Sequence, residues 1–279
     1  MAIQYFIPEL WAAAMLEQWN AVNVWAPLTN RQYEGTLSRG NTVHITGVVA
    51  PEVKDYATGV GGNARTTEAD EITDTTISMV IDQEKSTDFY VDDIDRAQVA
   101  GSLAPYTEAA GYAMAEDTDK FLANLAVNGG TALTTSVPTP TTGDHAFDLL
   151  RDARKQLNKA NVPGDGRITV CNAEFEALLL DASSKLTMAD VSGDNKGLRN
   201  AYVGQILGTK VITSNHLAAV DSPQFVMFSQ RALAFASQVD QVEGLRAQNK
   251  FADRLRALHV YGGKVIRPTG VVVYGSDGS

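Results

Sequence analysis

The chain has 279 residues, a formal net charge of -10, 44% hydrophobic residues and one cysteine. That composition is globular and long enough for one large core or two smaller ones, and its acidity argues against a protein held to nucleic acid or an anionic membrane mainly by charge. The lone cysteine excludes an intrachain disulfide, no apolar run approaches the ~18 residues of a membrane helix, and no basic residue precedes Arg31 to make the n-region of a signal peptide, so the expectation is a soluble protein of the cell interior.

The first 30 residues hold all three tryptophans, Trp11, Trp19 and Trp25. A segment this small cannot shelter three indoles, so they pack on the body of the chain or on a neighbour. Residues 41–49 alternate, with Val43 and Ile45 on one face, as in a half-buried strand. The Gly-rich stretch 57–65, which contains Gly61 and Gly62, reads as a flexible tip; it lacks the spacing of a phosphate cradle. Residues 75–82 alternate again through Ile77, Met79 and Ile81, and a further strand runs through Phe89 and Val91. Two strands around a tip make a long hairpin-like loop.

Pro105 suits the first turn of a helix reaching about Val127, which at ~1.5 Å per residue is long for a domain of this size. The Pro/Thr-rich stretch 134–143 is the best domain boundary. Beyond it, Phe147, Leu150, Ala153 and Leu157 mark a helix ending before Pro163. Residues 168–171 form a strand, and Asn172 can cap the helix that carries Phe175. Strands follow at 206–213, 225–228 and 233–236, then short strands from about Gln241 through 258–261 and 265–266 to 271–274. The pattern is α+β with two lobes, the second inserted into the first.

The charge is segregated. Residues 66–95 hold ten acids, including Asp92, Asp93 and Asp95, against Lys85 alone, a balance of -9. Residues 244–267 hold six bases, including Arg254 and Arg256, against Asp253, a balance of +5. The two stretches are either solvated or meet each other, within a subunit or between subunits, and complementary patches set register at an interface.

Catalytic chemistry finds no anchor. His44, His145, His216 and His259 lack partners at metal-ligand spacing, Cys171 reads as a buried inert thiol, and Asp92, Asp93 and Asp95 lack the ligand pattern of a calcium loop. No nucleophile elbow, Walker loop or zincin helix is present. No enzyme activity, cofactor or metal is expected.

Four segments carry a resemblance: GNTVHITGVVAPEVKDYATG (40–59), TTISMVIDQEKSTDFYVDDIDRAQ (75–98), VGQILGTKVITSNHL (203–217) and FADRLRALHVYGGKVIRPTGVVV (251–273). In this order and spacing the chain resembles the major capsid proteins of tailed bacteriophages, with the Hong Kong 97-type fold. The resemblance implies an N-terminal arm at 1–40, an extended loop at 41–82, a peripheral domain with a long spine helix at 83–135 and 244–279, and an axial domain at 136–243. It implies a structural protein that self-assembles, as pentamers and hexamers, into an icosahedral shell around packaged double-stranded DNA. Portal, scaffold and decoration proteins are the implied partners, no membrane is involved, and the implied location is the virion, assembled in the host cytoplasm.

With its first strand beginning by residue ~43, the chain is expected to carry no fused scaffolding segment. Lys54, the one Lys in the loop's outer half, is not expected to form an isopeptide cross-link. The expected subunit-contact residues are Trp11, Trp19, Trp25, Gly61, Gly62, Asp92, Asp93, Asp95, Arg254 and Arg256. An encapsulin-type compartment shell and an α+β enzyme are the alternatives.

Overall fold

A computed structural model of the chain describes residues 24–33, 42–48, 74–92, 104–181, 184, 204–217, 219 and 221–275. The strands are β1 (Thr42–Val48), β2 (Asp74–Val80), β3 (Gln83–Asp92), β4 (Thr131–Ala132), β5 (Arg167–Cys171), β6 (Gln205–Ile206), β7 (Thr209–Thr213), β8 (Phe225–Ser229), β9 (Leu233–Arg246), β10 (Ala252–Val265) and β11 (Val271–Tyr274). The helices are α1 (Ala104–Gly129), α2 (Gly143–Lys159) and α3 (Ala173–Leu179).

The largest sheet has the strand order β4-β11-β8-β5-β7-β6. Its central strands β11, β8 and β5 are buried along almost their whole length because both faces are covered. On one face Cys171, Phe225, Met227 and Val272 meet Leu149, Leu150, Ala153 and Leu157 of α2 and Phe175 and Leu179 of α3. On the other, Ile168, Val170, Val226, Phe228, Val271 and Val273 meet Leu122, Ala123 and Ala126 of α1 and Trp25. Thr142 Oγ1 accepts from His145 N at the start of α2, and Asn172 Oδ1 accepts from Phe175 N at 3.0 Å at the start of α3, the cap expected from the sequence.

A three-stranded antiparallel sheet, ordered β3-β10-β9, forms the second body. Helix α1 spans both sheets: at 26 residues it is about 39 Å long. Its first half sets Met114 and Ala115 on Leu255 and Ala257 of β10, while its last turns reach the large sheet. The β1–β2 hairpin lays Val43, Ile45 and Met79 over Ala234 and Ala236 of β9. Its strands, with Ile77, Met79 and Ile81 turned toward one side, match the alternation in the sequence; residues 57–65 lie outside the described residues.

The strand expected at 206–213 is instead a short β6–β7 hairpin turning at Leu207–Gly208, and three further features differ from the sequence reading. The short strands expected after Gln241 are one long hairpin, β9 and β10, each 14 residues long. The inward row of β10 reads Asp253, Leu255, Ala257, His259, Tyr261, and its two polar members break the apolar alternation. Strand β11, assigned by sequence to the peripheral domain, pairs with β8 and β4 inside the large sheet. Strand β9, whose first eleven residues the sequence assigned to the axial domain, pairs with β10 from end to end.

Gly262 explains how the hairpin seats on β10. A Cβ there would stand 2.4 Å from Val80 O and 2.7 Å from Ile81 Cα, both backbone atoms that cannot swing aside. Gly262→Ala is therefore expected to cost about 1–3 kcal/mol of stability in a denaturant titration. Gly164→Ala, where nothing lies within 4 Å, is the control and should stay within about 0.5 kcal/mol of the parent.

Candidate subunit-interaction surface

Strand alternation gives the β3-β10-β9 sheet one face under α1 and one open face. The inward row of β10 is buried; the outward row presents Arg254, Arg256 and Leu258. Neighbouring strands add Asp88 and Tyr90 from β3 and Glu243 and Leu245 from β9, and Phe251 at the β9–β10 turn is 81% exposed. Further along, the β1–β2 hairpin covers the same sheet.

The open face is knitted by charge. Arg254 Nε donates to Asp88 Oδ1 at 2.8 Å and to Oδ2 at 3.0 Å, with Nη2 also on Oδ2. This fork holds the Asp88 carboxyl below its ordinary range and pushes the Arg254 guanidinium further up. The Arg254 guanidinium lies 5.5 Å and Lys250 Nζ 5.2 Å from the centre of the Tyr90 ring. Arg256 pairs with Glu243 across the β9–β10 ladder, Nε to Oε2 at 2.9 Å, while on the opposite face Arg246 pairs with inward Asp253 at 3.0 Å.

Of the two charge arrangements open from sequence, the contact within the subunit is realised at Asp88–Arg254. Arg246 and Arg256 take acids from their own hairpin, because the long ladder puts Glu243 opposite Arg256 and Arg246 opposite Asp253. Asp92 ends β3, opposite Ala252 and partly buried. Trp11, Trp19, Gly61, Gly62, Asp93 and Asp95 lie outside the described residues.

Trp25 requires a correction. Its indole is fully buried in its own subunit, so it has no surface left for a neighbour. It stacks on Phe228 with ring centroids 5.9 Å apart, and Nε1 donates to Ser214 Oγ at 3.0 Å. The Val24 and Trp25 backbone N–H groups donate to the two Asp119 carboxylate oxygens at 2.9 and 3.0 Å. Burial raises the Asp119 carboxyl against these bonds. The sequence reading missed Asp119, which looks like any helix acid until the fold places the Val24–Trp25 backbone over it.

Beneath the open face lies a polar seam between β10 and α1. Tyr261 Oη donates to Asp117 Oδ2 at 2.7 Å, and Lys85 Nζ stands 3.7 Å from Asp117 Oδ1. His259 sits between Thr118 Oγ1 at 3.5 Å and Ser237 Oγ at 3.3 Å. Burial pulls the His259 imidazole down to about 3 and pushes the Tyr261 phenol up, with Asp117 adding to the latter. Burial likewise pushes the Cys171 thiol up to about 12, so it is not a nucleophile at neutral pH. Among the described residues no group of three His, Cys, Asp or Glu side chains could hold a metal ion, and no helix is long and apolar enough to cross a membrane.

Sequence reasoning found Arg254 and Arg256 by charge but missed Tyr90, Leu245, Leu258 and Phe251. The signal for Tyr90 was present: in a strand, adjacent Phe89 and Tyr90 must point to opposite faces, and only one face can lie under α1.

The family described as phage capsid protein matches residues 73–274. A solved structure from Mycobacterium phage Che8 is 56% identical, with 92% of each chain covered and a TM-score of 0.83. The capsid structure of Cyanophage P-SCSP1u aligns at 15% identity over 90% of this chain and 87% of its own, with a TM-score of 0.73. A virus-like particle from Pyrococcus furiosus aligns at 13% identity over 95% and 97%, with a TM-score of 0.60. No curated protein sequence matches. The last two likenesses carry the fold, whereas the family match and the 56% identity reach further: this chain belongs to the phage capsid protein family.

Proposed function

We propose that this chain is the major capsid protein of a tailed phage, self-assembling into an icosahedral shell of pentamers and hexamers around packaged double-stranded DNA. The observation that carries the reading is the 56% identity to the Che8 structure over 92% of both chains. The role is structural rather than enzymatic. The shell is assembled in the host cytoplasm with portal and scaffold proteins and becomes part of the virion. Assembly is geometric: each subunit repeats many modest contacts, and closed symmetry multiplies them.

Within the arm and loop spans 1–40 and 41–82, the contacts to neighbours come from outside the segments that pack on this subunit itself, since Trp25 is buried here and β1 and β2 lie over β9. The three-stranded sheet with the first half of α1 acts as the peripheral body, and the large sheet with α2 and α3 as the axial one. This division moves β11 to the axial body and β9 to the peripheral one, following their strand pairing. The chain's acidity suits a container, since a wall that gripped phosphate would hinder packaging and release.

The test is purification of the full chain followed by light scattering and negative-stain microscopy. Hollow or DNA-filled polyhedral particles are expected, and a stable 30 kDa monomer under all assembly conditions would refute the reading. An encapsulin-type shell is the second reading, favoured only by the fold shared with the Pyrococcus furiosus particle; protein cargo in place of DNA would select it.

The open sheet face gives a further expectation. Arg254→Glu with Arg256→Glu puts repulsion opposite Asp88 and Glu243 while leaving the buried row of β10 intact. Exposed pairs contribute little to folding, so the monomer should keep its circular dichroism and melting temperature. Particle yield should fall, because each lost contact is repeated over the shell. Normal particles from the double variant would remove this face from the assembly contacts.

A further inference from the structure

The end of α2, the turn that follows it and the β6–β7 hairpin enclose a pocket of about 390 Å³, lined by Arg154, Asn158, Asn161, Pro163, Arg167 and Gly208. Its walls are fixed by the backbone. Asn161 closes α2 in the left-handed conformation, φ 52°, and Val162 N returns to Leu157 O at 3.1 Å. Leu207 and Gly208, both with positive φ, make the tight turn between β6 and β7.

Two guanidinium groups converge here. Arg167 begins β5 and is only 5% exposed; it donates through Nε to Pro163 O at 2.9 Å and through Nη2 to Val162 O at 2.5 Å. Arg154, from the later turns of α2, donates through Nη1 to Leu207 O at the hairpin tip. Of the five N–H donors on a guanidinium, Arg167 thus uses two and Arg154 one. Neither is matched by a carboxylate among the described residues. Burial works against the Arg167 charge, and the neighbouring Arg154 charge adds to the strain. Carbonyl oxygens fix where the two groups point but do not neutralise them. A buried cation facing a second cation across a pocket is unfavourable until an anion arrives.

We propose that this pocket is a carboxylate-binding site and that its occupant in the assembled protein is an Asp or Glu side chain of a second copy of this chain. The inference rests on the reading of the chain as a shell subunit, which sets copies against one another. Each copy carries 33 Asp and Glu residues, so every neighbour presents carboxylates. The pocket is a single recess with two cations, Arg154 and Arg167, in its lining. Nucleic-acid phosphates would instead need a continuous basic track, which a chain of net charge -10 disfavours. A carboxylate entering the pocket takes up N–H donors that the fold leaves open and cancels the Arg154–Arg167 repulsion, so docking is specific for position as well as for charge.

Two measurements on the full chain test this. A particle map of the parent protein is expected to show a carboxylate of a neighbouring copy within about 4 Å of the Arg154 or Arg167 guanidinium. Arg154→Glu should lower particle yield by about tenfold or more, since the repulsion recurs at every copy, while Arg154→Lys retains most of it. The subunit melting temperature, read on unassembled protein, should move little in either variant. A parent map with the pocket open to solvent, or filled by a phosphate of packaged DNA, overturns the proposal; so does parent-like assembly of Arg154→Glu. If Arg154→Glu unfolds, the parent map alone decides. Failure of the parent itself to assemble sinks the shell-subunit reading instead.

Discussion

Trp25→Ala will remove roughly 3–5 kcal/mol of folding stability, the range for deleting a large buried aromatic ring. The indole is fully buried where the N-terminal segment, α1 and the large sheet meet. Its loss leaves a cavity beside Phe228 and the last turns of α1. It also weakens the hold on the N-terminal segment, whose other anchors include the Val24 and Trp25 N–H bonds to Asp119 and the pairing of Asn30 with Leu233 and Phe235. Trp25→Phe keeps most of the apolar contact and loses the Nε1 bond to Ser214, so its cost should be nearer 1–2 kcal/mol. Guanidinium unfolding of the unassembled subunit measures both. A loss below about 1 kcal/mol for Trp25→Ala would mean that the ring does not belong to this core.

That contrast shows where the sequence was legible. Pro105 and the periodic Met114, Phe121 and Leu125 marked the spine helix within two residues at its C-terminal end, since helix signals are local. Asn172 was legible as a cap for the same reason. Trp25 was not, because three nearby tryptophans look alike and only the fold decides which one has a pocket in its own subunit. The β9–β10 hairpin reads as short strands in the sequence because Asp253 and His259 occupy inward positions and Gly262 and Gly263 look like a turn. Their real roles are contacts from outside the strand: Arg246 on Asp253, Thr118 and Ser237 on His259, and the Val80–Ile81 backbone and Leu125 against the glycines. The placement of β11 beside β8 was equally invisible, since a four-residue apolar strand carries no label of its partner. For the candidate site, charge found Arg254 and Arg256, but their counter-ions depend on the ladder register, and the Arg154–Arg167 pocket joins residues from three elements.

The second large effect is on acid stability. His259 is 2% exposed, its imidazole held down to about 3 by burial against an ordinary value of 6.5. Asp117 favours the charged ring and Arg31 opposes it, but burial dominates. The unfolded chain therefore binds a proton below pH 6.5 that the folded chain refuses until about pH 3. Stability is full above pH 6.5 and falls as pH drops through that window, by about 2 kcal/mol at pH 5 from this residue alone. The Asp88 carboxyl, held below its ordinary 3.8 by Arg254, also loses stability on acidification, but only near and below pH 3.8, so the interval between pH 6.5 and 5 reads His259 without it. His259→Gln removes the titration while keeping a side chain able to reach Thr118 and Ser237. Its absolute stability at pH 7 reflects how well the amide packs; its slope between pH 6.5 and 5 is the diagnostic. Chemical denaturation of the subunit at half-unit pH steps should give a variant curve flatter than the parent by about 2 kcal/mol across that interval. Parallel curves would show that His259 titrates normally, and hence that the seam between β10 and α1 admits water in solution.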